Sequence, residues 1–367
     1  MGRNIFASLL EIIGVFMSSK KKTAVVVAVV IVVLIAVGVI GNVVLSSPVD
    51  KSNEKIKIVK VEQGSSTGQI ANALKKQDTI KSTLFFKIKS KLGGYDGKYK
   101  AGQYAVSQSM SLKKQMDMIK DGETVGKVFT IPDGNTLEKD AKLLAKGNVV
   151  TKKAFLEEAA NGKFDYDFLK DVPKGDNRLE GFLYPETYQV DLDADSHEVI
   201  DTMLKQFDKV FTDEYYKQAE KMDMSVLEVM TVASIIEREA KTDDDKKNVA
   251  SVIYNRLEVG MPLQMDSILA YITGEEKIKA SLSDTQVESD YNPYTNKGLP
   301  PGPICSPGKA SIEAALYPAE TDYLYFVATE KLDGTNVFSE TYEEFLKDKE
   351  AFDKAYKKYI KEHPDKK

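Results

Sequence analysis

A carboxyl group set into an apolar helix can serve as a general acid, and the stretch from Ser225 to Lys241 supplies one. Ser225 and Glu228 have capping-box spacing, so a helix starts there and runs on through VMTVASIIEREAK to about Lys241. Most of the run is apolar, which places it in the body of a domain. Glu237 interrupts it, with Ala233 and Ser234 one turn back and Met230 two turns back. On that small, partly apolar face the charged form loses hydration, the pKa rises, and a proton becomes available near neutral pH. Two observations compete. Glu237 and Lys241 also form an i,i+4 pair, common on exposed faces and worth about 0.2–0.5 kcal/mol, and spacing alone favours that reading. Glu239 sits on another face, over Ile235 and Ile236, and spacing does not choose between the two acids.

The following residues point to a sugar ligand. An apolar helix, Val249–Leu257, ends in Asn255 and Arg256; loops then present Gln264, Asp266, Asn292 and Tyr294, followed by the rigid Gly298-Leu-Pro-Pro-Gly-Pro-Ile304 and Ser306-Pro-Gly308. Amides and carboxylates take hydroxyls in pairs, and tyrosine faces stack on pyranose rings. Upstream, Leu179-Glu-Gly-Phe-Leu-Tyr-Pro-Glu-Thr-Tyr188 adds Glu180, Tyr184 and Glu186; Gly181 and Pro185 prevent a long helix there. Asn255 and Arg256 fit a structural role as well as a binding one. A thiol route through Cys305 would need a histidine in reach, but His197 and His363 occur in polar helices, so Cys305 reads as a small packed side chain. Asp243-Asp-Asp245 reads as a solvated acidic turn between helices, not a metal site.

These segments, with Asn255-Arg-Leu257, Leu263-Gln-Met-Asp266, Tyr291-Asn-Pro-Tyr294 and Tyr323-Leu-Tyr-Phe-Val-Ala328, make the chain resemble the endolytic murein transglycosylases, membrane-anchored peptidoglycan lyases with a YceG-like domain. The resemblance covers essentially everything after the N-terminal anchor. It implies that the first Glu of Ala233-Ser-Ile-Ile-Glu-Arg-Glu239, Glu237, is the catalytic acid. It further implies a LysM-like lobe ahead of the catalytic lobe, peptidoglycan glycan strands as substrate, penicillin-binding proteins and other wall-synthesis proteins as partners, and no cofactor. A lyase of this kind needs one carboxyl group: it protonates the glycosidic oxygen, then takes the proton of the C6 hydroxyl as that oxygen closes on C1. Gln264, Asp266, Asn292 and Tyr294 are the expected positioning residues, with Glu180, Tyr184, Glu186, Asn255 and Arg256 further candidates. The chain departs from the family pattern at Ser267, Ser306, Asn336 and Phe345, where Pro, Asn and two His are frequent. The alternative function is a non-catalytic, membrane-anchored wall-binding or division scaffold.

Composition agrees with an exported, anchored body. Of the 367 residues, 51 are Lys or Arg and 56 Asp or Glu, and the net charge is −5. A mildly acidic chain with no basic tract is a poor nucleic-acid ligand. One Cys and two His leave no disulfide framework and little to bind a metal. Residues 24–45 are apolar but for Asn42, and at about 1.5 Å per residue they reach roughly 33 Å, enough for a bilayer core. Lys20, Lys21 and Lys22 just before them put residues 1–22 in the cytoplasm and 46–367 outside; the apolar 4–17, too short to span, fits a segment lying along the inner interface and equally a loose lead-in.

The expected organisation is α+β: a transmembrane helix at 23–45, a linker at 46–55, a LysM-like lobe at 56–125 and a catalytic domain at 126–362. A strand end, turn, Ser/Thr cap and amphipathic helix recur from Val61, Val106 and Ile131. Helices follow at about 152–160, 196–211 and 212–222; after Ala310 come a helix, strands at 323–328 and 336–339, and a final Lys/Glu-rich helix.

Overall fold

The computed structural model describes residues 19–274 and 283–363. The segment 4–17 lies outside the described residues. The chain divides into two compact units, Met1–Gly126 and Lys127–Lys367.

The first unit opens with helix α1 (Ser19–Ser46), whose Ala24–Ser46 portion has a mean hydropathy of 3.3 and is nowhere buried. It is long and apolar enough to cross a membrane. Strands β1 (Lys57–Val61) and β2 (Gly102–Val106) pair antiparallel, from Lys57 opposite Val106 to Val61 opposite Gly102. Between them run α2 (Thr67–Lys76) and α3 (Thr83–Leu92), and α4 (Leu112–Asp121) follows. The caps fall where the repeat put them. Ser66 and Ser111 each accept an amide from the third residue of their helices, and each helix buries one stripe: Ile70, Ala71 and Leu74 in α2, and Met116 and Ile119 in α4. These close on Val59, Tyr104 and Val106 to form a separate small core.

The second unit starts with β3 (Lys127–Thr130), which pairs antiparallel with β4 (Thr187–Val190). Helices α5 (Leu137–Lys146, capped by Thr136) and α6 (Lys152–Asn161) lie between them; α7 (Ser196–Val210) and α8 (Asp213–Lys221) follow. Phe168, Phe182, Phe207 and Phe211 pack together through its core, partly stacked and partly edge to face, with ring centroids 4.5–5.8 Å apart. The centre is α9 (Val226–Glu239), started by the Ser225–Glu228 capping box. Its residues Val229–Ile236 are buried on every side, as a mainly apolar run requires, and the Thr231 and Ser234 hydroxyls within it donate to the Leu227 and Thr231 carbonyls.

Around α9 pack α10 (Asp243–Glu258), α11 (Asp266–Thr273) and α12 (Lys309–Leu316). A last ribbon, β5 (Tyr325–Ala328) with β6 (Asn336–Ser339), is covered by α13 (Tyr342–Glu362). The architecture is mixed α+β, built on three two-stranded ribbons among the described residues.

The acidic run departs from expectation. Asp243-Asp-Asp245 is not a solvated turn but the first turn of α10, capped by Thr242. Acids favour that end of a helix dipole. Asp245 is buried and accepts the Asn336 amide at 3.0 Å, tying α10 to β6.

Candidate active site

Glu237 ends up where the last turn of α9 meets three other segments. Its side chain is 12% exposed. Oε2 accepts from Ser311 Oγ at 2.6 Å, from the Gly308 amide at 3.2 Å and from Lys246 Nζ at 3.2 Å. Gly308 caps α12, Ser311 lies in that helix's first turn, and Lys246 in the first turn of α10. The Lys241 pairing suggested by spacing is replaced by Lys246, itself only 11% exposed. The carboxyl group is therefore met by donors instead of the apolar face expected around it. All three bonds fall on Oε2, and Oε1 has no hydrogen bond among the described residues.

Backbone pairing holds this arrangement. The Gly134 amide donates to Ser306 O at 2.9 Å and the Ser306 amide to Asn135 O at 2.8 Å, so the turn after β3 is bridged to the loop that carries Gly308. The same turn brings in Asp133, which in the sequence is only one member of a repeated turn. A β-carbon built on Gly308 would lie 2.9 Å from Asp133 Cγ, and one on Gly134 would lie 3.8 Å from Glu237 Cγ. Asp133 and Glu237 thus flank Gly308. Desolvation pushes the Asp133 carboxyl above the usual carboxylate range, the Glu237 charge adds to this, and Lys246 opposes it. The signal available in the sequence was an acid in a Pro-Asp-Gly turn.

The other candidates fall into separate groups. Tyr184 and Glu186 join Asp133: the Ile131 amide donates to Glu186 O at 2.9 Å, and the Tyr184 hydroxyl feels the Asp133, Glu186 and Glu313 charges. Tyr184 is nearly buried and Glu186 is exposed.

Asp266 and Tyr294 bond each other at 2.8 Å beside Glu239, whose carboxyl accepts the Ser267 amide at 3.2 Å and is pushed up by burial. Gln264 is exposed at a left-handed φ of 50°, its amide on Pro293 O. Asn292 is buried, donating to Val287 O at 2.7 Å and accepting the Tyr294 amide at 2.9 Å.

Asn255 and Arg256 are spent on backbone. Asn255 donates to Thr321 O and Tyr323 O at 2.8 and 2.9 Å. Arg256 donates to Leu324 O at 2.6 Å and to Leu263 O, with its guanidinium 5.4 Å from the Tyr325 ring centroid. Leaving two buried carbonyls short costs about 1–3 kcal/mol each. Arg256→Met is therefore expected to lower unfolding free energy by roughly 2–6 kcal/mol in a denaturant titration; an unchanged stability with a raised KM would mark it as a ligand residue instead.

Glu180 is 3% exposed and accepts the Leu137 amide at 2.9 Å and the Tyr271 hydroxyl at 3.3 Å. It lies under a cleft of about 820 Å³ lined also by Thr136, Arg238, Ser267, Tyr271 and Tyr291. Burial pushes Glu180 up to about 8 and, one helix turn away from Leu137, Asp140 up to about 7. Between the ordinary value of 4.5 and about 8 the unfolded chain has lost a proton that folded Glu180 keeps, so stability falls as pH rises through that window. Glu180→Gln should leave the melting temperature unchanged at acid pH and raise it above pH 8. The gain is equivalent to a few kcal/mol, since each pH step of one within the window contributes on the order of 1.4 kcal/mol. A parallel pH–stability curve for both proteins would count against this.

Cys305 is fully buried, with Sγ 3.3 Å from Ser234 O, and burial pushes its thiol well up. His197 is engaged with Glu158 at 2.8 Å and stacked on Phe164.

The α+β unit thus holds a carboxyl group anchored by three donors, and the neighbouring Arg238, not Glu237 itself, is among the residues lining the polar, aromatic cleft over Glu180. The YceG-like family matches residues 59–351, and the chain belongs to that family. It is 36% identical over 321 residues to a Bacillus subtilis (strain 168) protein named endolytic murein transglycosylase, covering 84% of this chain and 88% of that one. A Streptococcus pneumoniae (strain D39) protein of the same name is 32% identical over 308 residues; the match covers 77% of this chain but only 56% of that longer protein. A crystal structure of a yceG-like protein from Listeria monocytogenes superposes with a TM-score of 0.55 at 35% identity, over 80% of this chain and 99% of that one.

Proposed function

We propose that this chain is an endolytic peptidoglycan lytic transglycosylase that cleaves the bond between N-acetylmuramic acid and N-acetylglucosamine within nascent strands, leaving 1,6-anhydro ends and ending strand growth. The observation that carries this is the asymmetry of Glu237: Oε2 is fixed by three donors while Oε1 is left for a ligand. A carboxyl group pinned on one oxygen keeps its orientation when the proton leaves and returns on the other, which is what one residue acting as acid and then base needs. Oε1 protonates the glycosidic oxygen, the muramic N-acetyl group supports the positive C1, and Oε1 then takes the C6 hydroxyl proton as that oxygen closes on C1. No water enters.

Asp133, Tyr184 and Glu186 line the approach on one side and supply acceptors and donors for sugar hydroxyls. Asp266, Tyr294, Gln264 and Asn292 organise a second stretch of the glycan path, and Tyr271 and Tyr291 offer ring faces in the cleft. The β-α-α-β order of the first unit supports a LysM-like lobe at 56–125 that holds glycan, ahead of a catalytic domain at 126–362. Helix α1 is the single-pass anchor, with Lys20–Lys22 inside and the body outside, close to the wall synthases whose product it cuts.

Mass analysis of products from purified glycan strands tests the reading. Products lighter by one water than hydrolysis would give support it; intact strands at any enzyme concentration would leave a binding scaffold.

A further inference from the structure

The first unit carries an exposed apolar stripe that neither its own core nor the proposed chemistry uses. On α3, Leu84, Ile88 and Leu92 are 66%, 44% and 82% exposed. They recur at i, i+4 and i+8, so at 3.6 residues per turn they line one face. By the same geometry Lys87 and Lys91 border one side of that face, and Phe85 and then Lys89 the other.

Two lysines join this region to the end of the apolar helix. Lys81, just before the Ser82 cap, donates to Val44 O at 2.9 Å and to Ser47 Oγ at 2.8 Å. Lys89, two turns later, donates to Asn42 Oδ1 at 3.2 Å. Asn42 lies one turn back from Ser46, towards the middle of α1. Helix α3 therefore descends along the end of α1 as it runs from Thr83 to Leu92.

We infer that α3 is an interfacial helix: its Leu84–Ile88–Leu92 stripe enters the lipid leaflet that surrounds the end of α1, and Lys87 and Lys91 meet the headgroups. The occupant follows from position. Lys89 contacts α1, and the stripe lies on the adjoining face, so whatever surrounds the last turns of α1 also meets the stripe. If α1 spans a bilayer, that neighbour is lipid. Apolar side chains rimmed by lysines are what an interfacial helix presents, with the lysine stems running along the boundary and their charges in the anionic headgroup layer. The consequence is that the first unit is held against the membrane by more than a tether, which fixes where the lobe meets nascent glycan.

The inference rests on α1 being a membrane span, and the test separates the two claims. The chain has no Trp, so one introduced Trp reports alone. Leu84→Trp, Ile88→Trp and Leu92→Trp, with Leu34→Trp inside α1 as reference, are made in the full chain. Each is reconstituted in vesicles of phosphatidylcholine and phosphatidylglycerol with or without bromine on the acyl chains. All four positions are exposed, so the fold tolerates the changes, and far-ultraviolet circular dichroism verifies it.

The expected result is a bromolipid-dependent loss of emission at 88 and 92 approaching that of Leu34→Trp, with a smaller loss at 84. If Leu34→Trp is quenched while 84, 88 and 92 emit as in water, the inference is overturned and the anchor stands. If those three are shielded from aqueous acrylamide but not quenched by bromolipid, protein covers the stripe and the inference is equally overturned. If Leu34→Trp itself is unquenched, the span reading fails and the inference with it.

Discussion

Glu237→Gln is expected to cut the formation of anhydro ends from purified glycan by about 10²–10⁴-fold, the range a positioned general acid–base contributes. The substitution keeps the shape of the side chain. Its carbonyl oxygen can still take the Ser311 hydroxyl and the Gly308 amide that hold Oε2 at 2.6 and 3.2 Å. What it removes is a group that can give up a proton and take one back. The amide also leaves the Lys246 ammonium, 11% exposed, without its counter-charge. Some loss of stability therefore accompanies the substitution, and activity is to be compared at a temperature where circular dichroism shows both proteins folded. Mass analysis of the products is the deciding measurement: anhydro ends accumulating at an undiminished rate would remove Glu237 from the acid–base role. Glu239→Gln is the control, because its carboxyl lies on the Ser267 side of α9.

Local features were legible in the sequence. Serine and threonine caps at 66, 111, 136 and 225, the helix stripes behind them and the strands at 323–328 and 336–339 all follow from chemistry within a few residues, and the structure has them, the first strand starting two residues later at Tyr325. What was not legible is the set of groups around the carboxyl. Periodicity offered Lys241 to Glu237 because helix spacing is all it contains; the actual partners, Lys246, Gly308 and Ser311, stand 9, 71 and 74 residues further on. Which donors arrive is decided by how α10 and α12 pack on α9. Asp133 was hidden for the same reason: it comes within reach of Glu237 only because the Gly134 and Ser306 amides bridge a turn to a distant loop. In the sequence Asn255 and Arg256 fit a binding role and a structural one equally, and nothing local announces that Thr321, Tyr323 and Leu324 carbonyls wait for them.

Gly181→Ala should do damage of a second kind, to the fold and the site together. Gly181 has φ of +84°, and a β-carbon there would lie 2.5 Å from Pro303 Cβ, 2.7 Å from its Cγ and 3.3 Å from Cys305 O. The left-handed backbone costs an L-residue about 1–2 kcal/mol, and forcing a methyl group into a packed interior about 1–3 more. The sum, roughly 2–5 kcal/mol, corresponds to a melting temperature lower by on the order of 10 °C for a unit of this size.

The clash cannot be relieved by swinging a flexible side chain, since it meets a proline ring and a carbonyl. The 303–305 segment must move instead. That segment is fastened to α9 one turn before Glu237, through the Ile304 amide on Ser234 Oγ at 3.0 Å, and it leads in three residues to Gly308. A displacement of about 1 Å in a positioned catalytic group can cost around 10²-fold. Gly181→Ala is thus expected to lower kcat in protein that is still folded, whereas Arg256→Met, with similar loss of stability, spares it. Turnover of both variants, measured well below their melting temperatures, distinguishes a strut of the site from a strut of the fold; equal kcat for the two would show that the loop at 303–308 does not position Glu237.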